Sequence, residues 1–393
     1  MFSRKLRVGV LFGGRSAEHE VSIVSARSVM KALDKKKYQI VPIGISKDGK
    51  WIAGQQVLKI LKNNQSVPEK LRVILKPEPR SRGVVLLTQN QKSKLGFDPA
   101  NGGVVAKTTK IKNQKVDVIF SVLHGTFGED GTVQGLLELA NIPYVGAGVL
   151  GSAVGMDKIV QKMIFNANKL PTPSCIYFTA TDWRQAAVKI SRDIMASLKL
   201  PVFVKPANLG SSVGISKVRS RLGLKKAIKL ALKYDRRVIV EKSIEKALEI
   251  ECAVLGNDNP KASVAGQIIA SNEFYDYNAK YVDGKSKALI PAPLPKNIMN
   301  KVRELAVKAF KVLDLAGMAR VDFLVQKKPW RVYLSEVNTI PGFTSISMYP
   351  KLWQASGLAY STLLDKLIQL ALERRREKNA LNTTYKPKAN WYK

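Results

Sequence analysis

Three oxygen-bearing side chains in the C-terminal third are spaced in a way that chemistry can use. Asp322 lies in GMARVDFLV, an otherwise apolar strand-like run, and Glu336 and Asn338 lie in YLSEVNTIPG. Residues two apart on a strand face the same side. Glu336 and Asn338 therefore point together, and Asp322 joins them if its strand is the neighbour. Two carboxylates and an amide oxygen suit a hard cation that also holds phosphate oxygens, which points to magnesium with ATP. Arg320, two positions before Asp322, shares its face. A fixed guanidinium beside a metal suits the anionic oxygens that develop in acyl or phosphoryl transfer. Taken alone, the same residues fit an ion-pair network of Arg320 with the carboxylates equally well.

Further motifs bear on that choice. After Val202–Lys205 comes KPANLGSSVGI, in which Gly210, Ser211, Ser212 and Gly214 let the backbone approach a phosphate closely. Lys205 supplies charge. The loop has no Gly-Lys-Ser/Thr triple and is not a P-loop; an ordinary hairpin turn is the competing reading. Glu241-Lys242 closes a later strand and can present backbone groups to adenine and an ammonium to phosphate. Residues 123 to 135, LHGTFGEDGTVQG, follow a buried strand with four glycines, a histidine and two acids. Ligands sit at the carboxyl ends of parallel strands, and His124 stands there. Asp130 or Thr132 can cap the next helix, which does not exclude a binding role for His124. In GGRSAEHEVS, Glu18 either favours a helix dipole or holds a substrate ammonium. The polar-aromatic stretch EFYDYNAKY, residues 273 to 281, has the character of a lid. Lys280 and Tyr281 at its end can reach over bound phosphate.

The elements that must position these residues alternate apolar, β-branched runs with helical patterns, which predicts a largely parallel sheet of βαβ units. Strands are predicted at Val8–Phe12, Val41–Ile45, Val116–Leu123, Pro201–Lys205, Val238–Glu241, Ile250–Leu255 and Val264–Ile269. Ala319–Val325 and Arg331–Val337 are read as paired strands joined by the turn Gln326–Trp330. Helices are expected from Ser16 and Glu18 to about Leu33, after the glycine-spaced GAGVLGSAVGMDK, and over Leu222–Tyr234, Asn297–Leu313 and Tyr360–Glu377. Residues 55 to 115 are read as a lysine-rich elaboration, 272 to 289 as loop, and 378 to 393 as a frayed tail.

The chain has 393 residues, which at roughly 150 residues per domain gives two or three domains. No stretch approaches the roughly 18 apolar residues needed to span a bilayer, and Val8–Phe12 is too short for a signal peptide. Cys175 and Cys252 sit far apart in apolar segments and are expected to be free thiols. These features point to a cytosolic protein. The formal net charge is +35, which raises nucleic-acid binding as an alternative function. Against it, the lysines are scattered, and the aromatics, 7% of residues, are not interleaved with them. A general lysine bias is the competing reading of the charge, with attraction of ATP as a by-product.

In their order, GGRSAEHEVS, LHGTFGEDGTVQG, GMDK, VKPANLGSSVG, EK at 241–242, EFYDYNAKY, GMARVDF and EVNTIPGFTSIS resemble the D-alanine–D-alanine ligases of the ATP-grasp superfamily. They span residues 13 to 348. The resemblance implies a mixed α/β and α+β chain. A Rossmann-like N-terminal domain (1–146) precedes a two-domain ATP-grasp fold (147–243 and 244–377) that clasps ATP between two antiparallel sheets, with a basic tail (378–393). It implies that Glu18 binds the ammonium of the first D-alanine, in a trio with Ser211 and Tyr281, and that His124 lies near its carboxylate. Lys158, Lys205 and Lys280 would contact ATP phosphates beside the Ser212 loop. Glu241, Lys242 and Ile244 would line the adenine pocket, and Glu249 would hold the ribose. Asp322, Glu336 and Asn338 would bind two magnesium or manganese ions. Arg320 and the Gly342 N–H would form the oxyanion site, and Ser347 and Met348 would receive the second D-alanine. The implied reaction forms D-alanyl-D-alanine for peptidoglycan synthesis through an acyl phosphate. The nearest alternative is a D-alanine–D-lactate or D-alanine–D-serine ligase, and Tyr281 favours the dipeptide. A cytoplasmic homodimer with no membrane or specific nucleic-acid partner is expected.

Overall fold

The computed structural model describes residues 4–79, 83–86, 113–269, 287–344 and 346–385. β1 (Leu6–Gly13), β2 (Tyr38–Ile45) and β7 (Val118–Ser121) pair in parallel, with β3 (Trp51–Ala53) antiparallel at the edge, in the order β3-β2-β1-β7. These strands are nearly continuous apolar runs because both faces are covered. Val8, Val10 and Phe12 pack against the helix His19–Ala32 and the last helix, Tyr360–Asn379. Leu11 and Ile43 face the opposite side, against the helix Thr132–Leu139. Between these strands, the lysine-rich elaboration contributes a small antiparallel sheet, β4 (Val73–Leu75), β5 (Gly83–Leu86) and β6 (Asn113–Lys115).

β1 ends where it must turn sharply. Gly13 has φ +90°, and a Cβ there would lie 2.2 Å from the carbonyl oxygen of Ile45. We expect Gly13→Ala to lower stability by at least about 2 kcal/mol, from strained φ plus the clash. A thermal melt matching the wild type would refute this.

The second sheet has the order β10-β9-β11-β8, from β8 (Cys175–Thr179), β9 (Val202–Pro206), β10 (Ser216–Val218) and β11 (Arg237–Lys242). The third has the order β14-β13-β12-β15-β16, from β12 (Leu248–Gly256), β13 (Lys261–Ile269), β14 (Lys287–Leu289), β15 (Gly317–Gln326) and β16 (Arg331–Asn338). Both are antiparallel throughout their described ladders. The expectation of one largely parallel sheet therefore holds only for the first. The reason is two-sided burial. On β12, Ile250, Cys252 and Val254 meet the helix Lys296–Val312, while Ala253 and Leu255 join the core of Tyr349 and Leu363. An antiparallel strand covered on both faces loses the alternation that would mark it.

Sequence reading overlooked β8, the helix Ala180–Ser197 and the helix Met348–Ala355. The first helix carried a signal: Thr179 and Asp182 form a reciprocal capping box, with bonds of 3.1 and 2.8 Å. Lys287–Leu289 is an edge strand on β13, not loop, because its backbone pairs with Gln267–Ile269 while its side chains stay exposed. The turn between β15 and β16 falls as expected, at 327–330.

The last helix runs to Asn379 and fastens the chain's end to its beginning. Arg374 donates to the carbonyls of Tyr144, at 3.0 Å, and Gly146, and lies over the Tyr144 ring. Arg375 reaches Asn141 at 3.0 Å, and Lys378 reaches Glu138 at 2.8 Å. Two of the three consecutive arginines at 374–376 thus serve the fold. The lid stretch 273–281 and residues 386–393 lie outside the described residues.

Candidate active site

Asp322 and Glu336 are register partners across β15 and β16, as are Arg320 and Asn338. A register shift follows Asp322, the kind of irregularity that re-aims side chains beside active sites. Arg320 donates to both Asp322 oxygens, at 2.7 and 2.6 Å, and the Asn338 amide donates to Asp322 at 3.0 Å. Glu251, opposite Asp322 on β12, lies 3.2 Å from Arg320. The ion-pair network is therefore real. It is also compatible with a metal, because Asp322 and Glu336 face each other from adjacent strands with the Asn338 amide beside them. That oxygen set fits a hard cation.

Asp322 and Glu336 border a cleft of about 140 Å³ between the second and third sheets. Lys205, Ser212, Glu241, Lys242 and Glu249 line the same cleft. Ile244 lies just past β11, half-buried, outside that lining. Lys158 opens the helix Lys158–Ala167, whose N-terminus is capped by Asp157. Its ammonium donates to the Leu209 carbonyl at 2.6 Å and lies 3.5 Å from Glu336. Ser211 and Ser212 hold positive φ of 50° and 59°, a sparsely populated backbone region for residues with a Cβ. The Glu241 carboxylate is gripped by Lys162 at 2.9 Å and Lys205 at 2.6 Å. Burial opposes its charge, but the two lysines hold it down at about 2. Burial likewise works against the Lys205 ammonium, yet Glu241 and Glu336 keep it above its usual range.

A second cavity, of about 210 Å³, adjoins this cleft. It gathers Glu18, His124, Ser211, Arg320, Gly342, Ser347 and Met348. Ser211 donates its hydroxyl to Glu18 Oε1. A Cβ at Gly125 or Gly210 would come within 2.7 or 2.8 Å of Glu18 Oε2, so both glycines are needed to seat that carboxylate. Glu18 precedes the helix but makes no side-chain cap; the acid in the first turn is Glu20. Asp130 accepts the N–H groups of Phe127, at 2.8 Å, and Thr132, at 3.1 Å, which serves its turn. His124 is buried. Its Nδ1 donates to the Ile340 carbonyl at 3.1 Å, which leaves Nε2 to accept from Ser25 at 3.1 Å. Burial, against the pull of Glu18, pushes its pKa down and favours the neutral ring. Ser347 precedes the helix Met348–Ala355, and a Cβ on Gly342 would meet its Oγ at 2.7 Å.

Lys280 and Tyr281 lie outside the described residues. Four side chains that shape the site were overlooked: Ser25, Glu129, Lys162 and Glu251. Glu251 had a signal, since Glu249 and Glu251 sit two apart in an otherwise apolar strand. Lys162 had none beyond its place one helical turn after Lys158. Glu129 accepts the N–H groups of Gly125, at 2.8 Å, and Ile340, at 3.2 Å. Burial and nearby Glu18 push its carboxyl up to about 8, against the pull of those two donors.

Known proteins resemble this chain along nearly its whole length. Residues 7–147 match the family model for the D-ala D-ala ligase N-terminus and residues 164–369 the model for its C-terminus. A D-alanine–D-alanine ligase of Natranaerobius thermophilus is 49% identical over 382 residues, 97% of this chain and 99% of the relative. The solved D-alanine–D-alanine ligase of Coxiella burnetii superposes with a TM-score of 0.78 at 35% identity, over 96% of this chain and 97% of that one. A D-Ala:D-Ser ligase from Enterococcus faecalis gives the same TM-score and identity over 94% and 100%. With both family halves matched in order and near-full-length relatives at this identity, the chain belongs to the D-alanine–D-alanine ligase family.

Proposed function

We propose how this chain's residues carry its reaction, the ATP-dependent joining of two D-alanines. One observation supports the assignment most directly. Arg320, which lines the smaller-substrate cavity, bonds Asp322, which lines the adjoining cleft. A carboxylate activated in the first is thus one side chain away from phosphate held in the second.

Glu18, fixed by Ser211, receives the ammonium of the first D-alanine, and His124 lies by its carboxylate. Lys158 and Lys205 neutralise phosphate oxygens beside Ser212. Glu241 holds Lys205 in place through its side chain, while its backbone, with Lys242 and Ile244, frames adenine; Glu249 takes the ribose. Asp322, Glu336 and Asn338 would hold two Mg2+ or Mn2+ ions, which supply charge neutralisation for the phosphoryl oxygens. Once the first D-alanine is an acyl phosphate, the amine of the second attacks its carbonyl carbon. Arg320 and the Gly342 N–H steady the resulting oxyanion, and Ser347 and Met348 seat the second carboxylate. A cytoplasmic homodimer, with domains divided near residues 146 and 243, completes the reading by family resemblance. Among the described residues no helix is long and apolar enough to cross a membrane.

The test is phosphate release from ATP with single acceptors. D-alanine alone should suffice and yield the dipeptide, and chelation of divalent ions should stop the reaction until magnesium is returned. Turnover with L-alanine, a preference for D-serine or D-lactate as second substrate, or full activity in chelator would overturn the respective assignment.

A further inference from the structure

Among its described residues, the segment between β16 and the helix Met348–Ala355 carries Gly342 but has no helix or sheet of its own. Its position is set from outside. Ile340, two residues before Gly342, has both backbone polar groups taken by one loop of the first sheet. Its N–H donates to Glu129 Oε1 at 3.2 Å, and its carbonyl accepts from His124 Nδ1 at 3.1 Å. The other Glu129 oxygen accepts from Gly125 N–H at 2.8 Å. Glu129 thus ties the His124 loop to the Gly342 segment through a single buried carboxylate. Beyond Gly342, Ser25 accepts the Phe343 N–H at 3.4 Å.

We propose that Glu129 is a positioning residue for the second half-reaction: it holds Ile340–Gly342 where the Gly342 N–H can meet the tetrahedral oxyanion. The proposal rests on the oxyanion assignment made above. Two N–H donors converge on this side chain, and each of its oxygens can accept one of them whether or not the carboxyl holds a proton. Glutamine would turn its own NH2 group toward one donor, and alanine would strand both. Displacing a donor by about 1 Å can cost on the order of a hundredfold in rate. The loss should fall on amine attack more than on phosphate transfer. The acyl phosphate would then last long enough for water to attack its phosphorus, breaking the bond to the acyl oxygen and releasing phosphate and D-alanine.

The experiment compares the full-length wild type with Glu129→Gln and Glu129→Asp, measuring phosphate and dipeptide together with ATP binding by calorimetry and thermal melting. Expected for Glu129→Gln are dipeptide synthesis reduced at least tenfold, more than one phosphate released per dipeptide, and an ATP affinity within twofold of wild type. Aspartate keeps both oxygens but is one methylene short, and should fall between. A purely structural role would lower phosphate and dipeptide in step, with the ratio at one. That result, unchanged synthesis, or failure of both variants to fold would overturn the proposal. Arg320→Ala separates the two ideas. If that variant still makes dipeptide normally, the oxyanion assignment has failed; if it is inactive while Glu129→Gln stays coupled, only the role of Glu129 has failed.

Discussion

Arg320→Ala should lose dipeptide synthesis by at least about a hundredfold, on the order of 3 kcal/mol of transition-state stabilisation, and still bind ATP. The size follows from how the guanidinium is held. Asp322 grips it with both oxygens and Glu251 approaches from the other neighbouring strand. Burial works against its charge, but these carboxylates hold its pKa well above the usual arginine value. The group is charged and fixed before substrate arrives, so it pays no reorganisation when the oxyanion forms. ATP should still bind because Lys158, Lys205 and the Ser212 loop are untouched. Calorimetric ATP binding beside a coupled dipeptide assay checks both halves, and wild-type turnover in the variant would sink the assignment.

Lys162→Met should destabilise the fold by about 3–5 kcal/mol, the usual result of removing one partner from a buried ion pair. The Lys162 side chain is 2% exposed and its ammonium lies 2.9 Å from Glu241. Lys205 would then have to answer Glu241 alone, so the KM for ATP should rise as well. A pH profile distinguishes this from simple loss of packing. In the fold, Glu241 sits at about 2, below its ordinary 4.5. A depressed carboxyl stabilises the folded state above its ordinary value and loses that contribution as pH falls toward the folded value. Wild-type stability should therefore decline between about pH 4.5 and 2, and the variant should show less of this acid-sensitive part. Superimposable melting temperatures from pH 7 to pH 3 would rule the pairing out as a source of stability.

Much of the candidate site was legible because binding charged ligands needs residue types that a core would not choose. Asp322 in an apolar strand, the spacing of Glu336 and Asn338, and the glycine-serine loop each break a local pattern. Positioning residues break patterns less visibly. Glu129 lies in a turn already rich in acids, and its partner is the backbone of Ile340, 211 residues away. Such a bond leaves no mark at the receiving end. Strand direction was not legible in the apolar pattern for a related reason. On β11, Val238 and Val240 pack under helices while Ile239 meets Ile159 and Ala207, and a strand apolar on both faces reads alike in either orientation.

The suture between the last helix and the first sheet has a consequence in time. Arg374 binds the carbonyl of a residue 230 positions earlier. At about 5–20 residues per second, a ribosome needs on the order of ten to fifty seconds to make that intervening chain. Meanwhile Val8, Phe12 and Phe120 emerge without Leu363 and Leu367, which later share their core. The newborn first sheet therefore waits with part of one apolar face uncovered, and exposed apolar surface of that kind invites aggregation during synthesis.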